Sequence, residues 1–269
     1  DRISSLASYN GNPVVLLTIM ALITIGGLGF FVWEDILRCG RDLRRLSLYS
    51  KMVLSFTAAL ILGGGLFFLL AEWDNPATLG DMPGWKRVLN AAFQAVTLRT
   101  AGFDTIGQGN LRDSSLAMSC ILMLIGGSSG STAGGLKTVT VGVLFLTLRA
   151  GLAGREEVTL RGRSISHRRV MNALTLTLIV AVIFLAGSMI ISLVDDVPFL
   201  SAAFESASAM ATVGVTVGIT PTLSLFSHVL LICMMFLGRV GIMSFSIAFL
   251  ARSKYPAKIK YPTMDIMIG

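Results

Sequence analysis

Charge is scarce in this chain. Only 14% of its 269 residues are Asp, Glu, Lys or Arg, against about 25% in a typical soluble domain. Cysteine and histidine are scarcer still. Cys39, Cys120 and Cys233 are too few and too scattered for a disulfide framework or a CxxC metal site. His167 and His228 have no second His or carboxylate at ligand spacing. All five are expected to serve loop or helix packing. No signal-peptide pattern opens the sequence, which begins with Asp1 rather than Met. It is expected to be a piece of a longer polypeptide.

Apolar runs take the place of the missing charge. The chain is 54% hydrophobic, with a mean hydropathy of +0.76. Val14–Trp33, Met52–Ala71, Val170–Val194 and Leu223–Gly238 carry no charge, and each reaches or approaches the roughly 20 residues that cross a bilayer. An all-α integral membrane protein is expected. The net charge of +7 is then read by location, since basic residues mark the cytoplasmic side. They lie in short loops between spans, which argues against nucleic acid as a partner.

Arg38, Arg41, Arg44, Arg45 and Lys51 outweigh Glu34, Asp35 and Asp42, placing the first loop inside and residue 1 outside. Arg149–Arg169 is basic again, and Arg252, Lys254, Lys258 and Lys260 put the C-terminus in the cytoplasm. Two short apolar segments, Trp85–Val96 and Pro198–Met210, are too short to span. The charge clusters agree with one topology only if both segments enter and leave on the same face. Glycines at 26, 27 and 29 and at 63–65 predict close helix–helix approach in lipid.

The two short segments open similar stretches. Ala91–Thr105 reads AAFQAVTLRTAGFDT and Ala202–Val217 reads AAFESASAMATVGVTV. Gln94 matches Glu205, and one extra residue in the second copy brings Gly102 onto Gly214. Each unit is therefore span, short helix, glycine turn, span, in the same orientation. An amphipathic surface helix followed by a polar loop fits one unit less well than two aligned ones. A short helix entering from outside aims its partially negative C-terminus at the membrane centre, where it favours a cation. Extended carbonyls of Thr100, Ala101 and Gly102, and of Thr212, Val213 and Gly214, could then replace an ion's hydration shell. Ordinary turn glycines are the plain alternative. Arg99, beside the first turn, is expected to brace the filter backbone.

The third span is broken. Between apolar Leu116–Ile125 and Leu136–Leu148 lie Gly126, Gly127, Ser128, Ser129, Gly130, Ser131, Thr132, Ala133, Gly134 and Gly135. Non-helical backbone at membrane depth survives only beside protein or a water-filled cavity, so this loop should line an aqueous path. Gly130 and Gly135 followed by Lys137-Thr138 resemble a phosphate-binding loop, but Leu136 interrupts the motif and no strand precedes it. Arg239 lies deep in the last span, where an ionisable residue is by default functional. Its expected partners are the loose carbonyls of this loop; a structural role, bonding a neighbouring helix end, is the plain alternative.

Three motifs carry a family resemblance: TLRTAGF at Thr97–Phe103, GGSSGSTAGGLK at Gly126–Lys137, and FLGRVGI at Phe236–Ile242. They resemble the Trk/Ktr/HKT potassium-transporter superfamily, above all the membrane subunit of bacterial Ktr systems. IGGLGFFVW at Ile25–Trp33 is similar to that family's second-repeat exit helix. The resemblance implies a non-enzymatic potassium uptake channel in a bacterial plasma membrane. Its fold would be part of a four-repeat, potassium-channel-like arrangement of transmembrane helix, re-entrant pore helix, filter loop and transmembrane helix. Residues 1–50 would hold the second repeat's exit helix and a cytoplasmic loop, 51–167 the third repeat, and 168–269 the fourth with a cytoplasmic tail. Gly102 and Gly214 would be filter glycines, and Gly126–Gly135 with Lys137 and Arg239 the gate. The ion would be K+ at the filter carbonyls, with preference over Na+ and sodium coupling left open and no organic cofactor on this chain. The partners would be a homodimer mate, a cytosolic nucleotide-binding regulatory ring of the RCK type, and the N-terminal half of the same pore. A secondary cation symporter with re-entrant hairpins is the runner-up, disfavoured because its repeats are usually inverted. A non-conducting scaffold half is a third alternative.

Overall fold

A computed structural model describes residues 5–240 apart from 41, 156 and 161. The expected cytoplasmic tail with Arg252, Lys254, Lys258 and Lys260, and the last part of the final span, lie outside the described residues. The helices are α1 (Pro13–Leu28), α2 (Phe30–Cys39), α3 (Leu48–Ala71), α4 (Gly84–Thr97), α5 (Asp113–Leu124), α6 (Thr138–Leu152), α7 (His167–Asp195), α8 (Phe199–Met210) and α9 (Leu225–Val240). A small antiparallel hairpin, β1 (Thr159–Leu160) with β2 (Arg163–Ser164), joins α6 to α7. The helices start where local chemistry allows. Asn12 caps α1 by accepting from Val14 and Val15 N–H, with Pro13 in its first turn; Ser47 caps α3 through Ser50 N–H.

The outer surface is far more apolar than that of a soluble protein. Helices α3 and α7 are long and apolar enough to cross a membrane, yet they expose Leu62, Leu66, Leu178 and Leu193. Helix α8 is too short to cross, and every residue from Ala202 to Met210 is buried. The interior holds polar side chains, among them Gln94, Gln108, Ser188, Glu205 and Ser206. An apolar outside around an interior that also shelters paired polar groups is the arrangement of a chain whose solvent is lipid. One central cluster, including Phe68, Leu98, Met123, Phe204 and Val213, joins α3, α4, α5, α8 and the turns after the two short helices.

The first apolar run is not one straight helix. It bends by 95° between α1 and α2, at Gly29 with φ +80°. The carbonyls just before the bend leave the helix ladder for another segment: Gly27 O accepts from Ser128 N–H at 3.0 Å and Leu28 O from the Ser128 hydroxyl. Beyond it, Phe30 N–H donates to Gly130 O at 3.2 Å. Gly29 is needed for its left-handed backbone, and a Cβ there would lie 2.7 Å from Ser129 O. The role expected for Gly26 and Gly27, close helix–helix approach, is not what is seen. A Cβ at either meets nothing within 4 Å. Gly64 does fit that expectation, lying against Leu122 and Ala95.

Polar anchors hold the segment between α3 and α4. Arg87 donates to the carbonyls of Met82, Trp73 and Gly80 and stacks on Trp73, 4.8 Å from the ring centre. Glu72, fully buried, accepts from Asn75 Nδ2 at 2.6 Å, Thr78 Oγ1 at 2.8 Å and Arg112 N–H at 3.0 Å. Burial alone would raise its pKa; the hydrogen bonds outweigh that and hold it below the ordinary value. A depressed carboxylate stabilises the fold above its unfolded pKa, about 4.3, and loses that contribution as pH falls through the folded value. Glu72→Gln should therefore lower the melting temperature of the detergent-solubilised protein at pH 7, by an amount that shrinks as pH falls below about 4.3. A melting difference constant from pH 7 to pH 3.5 would remove the charge from this explanation.

Candidate functional site

Both glycine turns are backbone outliers of the same kind. In the first, Thr100 has φ +68° and Gly102 φ +81°; in the second, Thr212 has φ +55° and Gly214 φ +94°. Ala101 and Val213, between them, are not left-handed. A β-branched residue in the left-handed region is strained, by about 1–3 kcal/mol, and here it recurs at the same place in two copies. Alternating hands rotate successive peptide planes so that their carbonyls can share one side.

Each turn is tied to its short helix by one hydroxyl at a matching position. Thr97 Oγ1 accepts from Phe103 N–H at 2.9 Å and donates to Phe103 O at 2.7 Å. Ser208 Oγ accepts from Gly214 N–H at 3.2 Å and donates to Val215 O at 2.6 Å. The turns also meet. A Cβ on Gly102 would overlap the Val213 carbonyl oxygen. Above them a hollow of about 470 Å³ is lined by Gly102, Gly214, Val215, Asp104, Gln108 and Ser5 among others.

The broken third span lies directly beneath. Ile125 and Leu136 form a parallel bridge that closes the loop between them. A Cβ on Gly134 would lie 2.6 Å from Ala211 O and overlap the Thr212 hydroxyl, so this loop touches the base of the second turn. Its carbonyls are not loose, as the sequence suggested. Gly126 O accepts from Thr138 Oγ1 at 2.9 Å, Gly127 O from Thr138 N–H at 3.0 Å, and Ser129 O from Tyr49 at 3.3 Å. Gly130 O takes the Phe30 N–H already described, and Ala133 O takes Lys137 Nζ at 2.6 Å. Ser131 Oγ donates to Ser128 O at 2.7 Å. Protein donors meet most of these carbonyls, and one of them is Arg239, whose guanidinium donates to Thr132 O. Among the described residues Thr132 O is the acceptor that Arg239 meets, and its side chain is exposed.

Arg99 does not brace the turn beside it. Its buried guanidinium points at the loop, 3.4 Å from Gly126 O and 3.3 Å from Thr138 Oγ1. Glu205 is the other residue whose setting the sequence did not show. It is buried behind the second turn, in contact with Thr216, Val217 and Thr220. The alignment of Gln94 with Glu205 was the available signal for it.

This arrangement has relatives. Residues 2–257 match the model of the TrkH family, described as a cation transport protein. The chain belongs to that family. The family transports cations; it is not one of enzymes. The chain is 39% identical to the potassium/sodium uptake protein NtpJ of Enterococcus hirae and 34% identical to Ktr system potassium uptake protein B of Bacillus subtilis, each over 98% of its own length. It spans 59% of the length of each of these relatives. The crystal structure of the potassium transporter TrkH from Vibrio parahaemolyticus is similar in fold, with a TM-score of 0.72, 21% identity, and coverage of 89% of this chain and 53% of that one.

Proposed function

We propose that this chain is part of the membrane subunit of a potassium uptake system, conducting K+ through backbone carbonyls of Thr100–Gly102 and Thr212–Gly214. The observation that carries the reading is the recurrence of one strained backbone pattern, left-handed Thr and left-handed Gly two residues later, in two turns that touch. A coordinating shell of fixed carbonyls costs no reorganisation when an ion sheds its water. Potassium is the cargo named for the relatives, and sodium is named beside it for one of them. Gly126–Gly135 acts as a gate below the filter, anchored by Lys137 and Arg239, with Arg99 fixing its first residue. Short helices α4 and α8 are re-entrant, entering from outside and ending at the filter.

Two filter turns do not surround an ion. The remaining turns come from further polypeptide, completing four repeats, and the conducting unit is a homodimer of such subunits under a cytosolic nucleotide-binding ring. Its setting is the plasma membrane, with the C-terminus in the cytoplasm. Residues 1–269 expressed alone in a potassium-uptake-deficient bacterium should give no potassium uptake. Supplying the remaining repeats as a second polypeptide should restore it. Selective potassium current from purified 1–269 would overturn the four-turn pore, and an inactive but assembled complex would overturn the potassium assignment.

A further inference from the structure

The two turns are held from behind by different chemistry. On α4, Gln94 and Thr97 lie one turn apart on the same face; on α8, Glu205 and Ser208 do. Thr97 and Ser208 each accept one N–H and donate to the carbonyl of the residue after the glycine; the N–H is that of Phe103 in the first turn and of Gly214 in the second. Gln94 and Glu205 do not match in kind. Gln94 forms a reciprocal amide pair with Gln108, with bonds of 2.6 and 3.0 Å, and Gln108 Nε2 also donates to Asp104 Oδ1 at 2.8 Å. Glu205 faces three donors. Its Oε1 accepts from Thr216 Oγ1 at 2.5 Å and Val217 N–H at 3.0 Å, and its Oε2 accepts from Thr220 Oγ1 at 2.8 Å.

We infer that Glu205 is a positioning residue for ion selection, a three-donor clamp that fixes Thr216–Thr220 and through it the carbonyls at Gly214. The inference rests on the filter reading above. Three observations carry it. The carboxylate is 5% exposed, and among the described residues no ion pair reaches it. Such a group is retained in an interior only where its acceptors are used. The three donors come from one short segment that begins two residues beyond Gly214, so the clamp acts on the filter turn rather than on helix packing. That segment also bears on the other turn's support. A Cβ on Gly109, the neighbour of Gln108, would lie 2.6 Å from Val217 O.

The donor set suits a carboxylate at 205 without requiring its charge. Gln108 offers both an N–H and a carbonyl, which an amide at 94 answers in both directions. Thr216, Val217 and Thr220 offer donors, and a side chain that only accepts answers all three. A glutamine at 205 would keep Oε1 on Thr216 and Val217 and turn its amide toward Thr220, whose hydroxyl can accept. Thr220 Oγ1 lies 2.9 Å from Thr216 Oγ1, so that reorientation has a ready alternative partner. Position, rather than charge, is what the clamp supplies.

The test measures potassium against sodium uptake in the intact transporter, alongside the amount of assembled protein. Glu205→Ala should lower the potassium preference about fivefold or more, the scale of one or two lost hydrogen bonds, and Glu205→Gln should stay within about twofold of the parent. Thr216→Val with Thr220→Val removes two donors without touching the carboxylate, and should reproduce the loss if Glu205→Ala does not assemble. Gly214→Ser is the control for the filter itself. If it lowers preference while Glu205→Ala, or the threonine pair, leaves it intact, the clamp is wrong and the filter stands. If Gly214→Ser and Gly102→Ser both leave preference intact, the filter reading fails. Glu205→Gln as damaging as Glu205→Ala would show that charge is what matters, which overturns the clamp.

Discussion

Gly102→Ser should cost the intact transporter most of its preference for potassium over sodium, and Gly214→Ser should cost less. Both glycines have left-handed backbones, φ +81° and +94°, where a side chain adds about 1–2 kcal/mol of strain. That energy alone is worth about a tenfold change in an equilibrium. Their surroundings separate them. A Cβ on Gly102 would overlap the Val213 carbonyl of the other turn, whereas at Gly214 the nearest atom, Gly102 Cα, is 4.0 Å away. The serine at 102 must therefore push the two turns apart, moving two sets of carbonyls, while the serine at 214 strains one. Potassium uptake in competition with sodium, measured in a transport-deficient cell, checks the order. Equal effects would mean the turns do not share one ion path, and unchanged preference in both would remove them from the filter.

Loosening the loop beneath the turns should raise basal ion flux. Thr132 O is held by Arg239 and Ala133 O by Lys137, and Gly134 next to them rests on Ala211 and Thr212. Hydrogen bonds to charged groups are worth about 1.5–3 kcal/mol. Losing Arg239 by Arg239→Ala should thus shift a closed–open balance by about tenfold to a hundredfold. Deleting Ser131–Ala133 should act in the same direction and weaken dependence on the cytosolic partner. The arginine and lysine hold adjacent carbonyls of one short segment, so Arg239→Ala and Lys137→Ala should be non-additive in a double-mutant cycle. Flux is measured in proteoliposomes containing the assembled transporter. No rise in either variant, with assembly intact, would count against a gate at this loop.

Arg99 shows the limit of proximity along the chain. It sits next to Thr100 in sequence, and bracing that turn was the natural expectation. Its guanidinium instead reaches a loop 27 residues further on, leaving from the turn just past the end of α4. The loop itself was legible as a break, since a run of Gly, Ser and Thr between apolar segments cannot continue a helix. What satisfies its backbone was not legible. The donors include Phe30, Tyr49, Arg99, Lys137, Thr138 and Arg239, residues drawn from four helices, the turn after α4 and the loop's own end.

By itself the sequence determined the elements that depend on neighbours in the chain. Low charge and apolar runs required helices in lipid. Segments of about 12 residues, too short to span, required short helices, and the alignment of Gly102 with Gly214 required two similar turns. Tertiary structure decided whatever depends on partners far along the chain. The first apolar run looks like one span, but the Ser128 hydroxyl, 100 residues away, takes the carbonyl of Leu28, and the helix turns by 95° at Gly29. Hydropathy is summed over local windows and registers no such bond. A carbonyl leaves its own helix only when a distant donor arrives to meet it, and the fold alone brings that donor there.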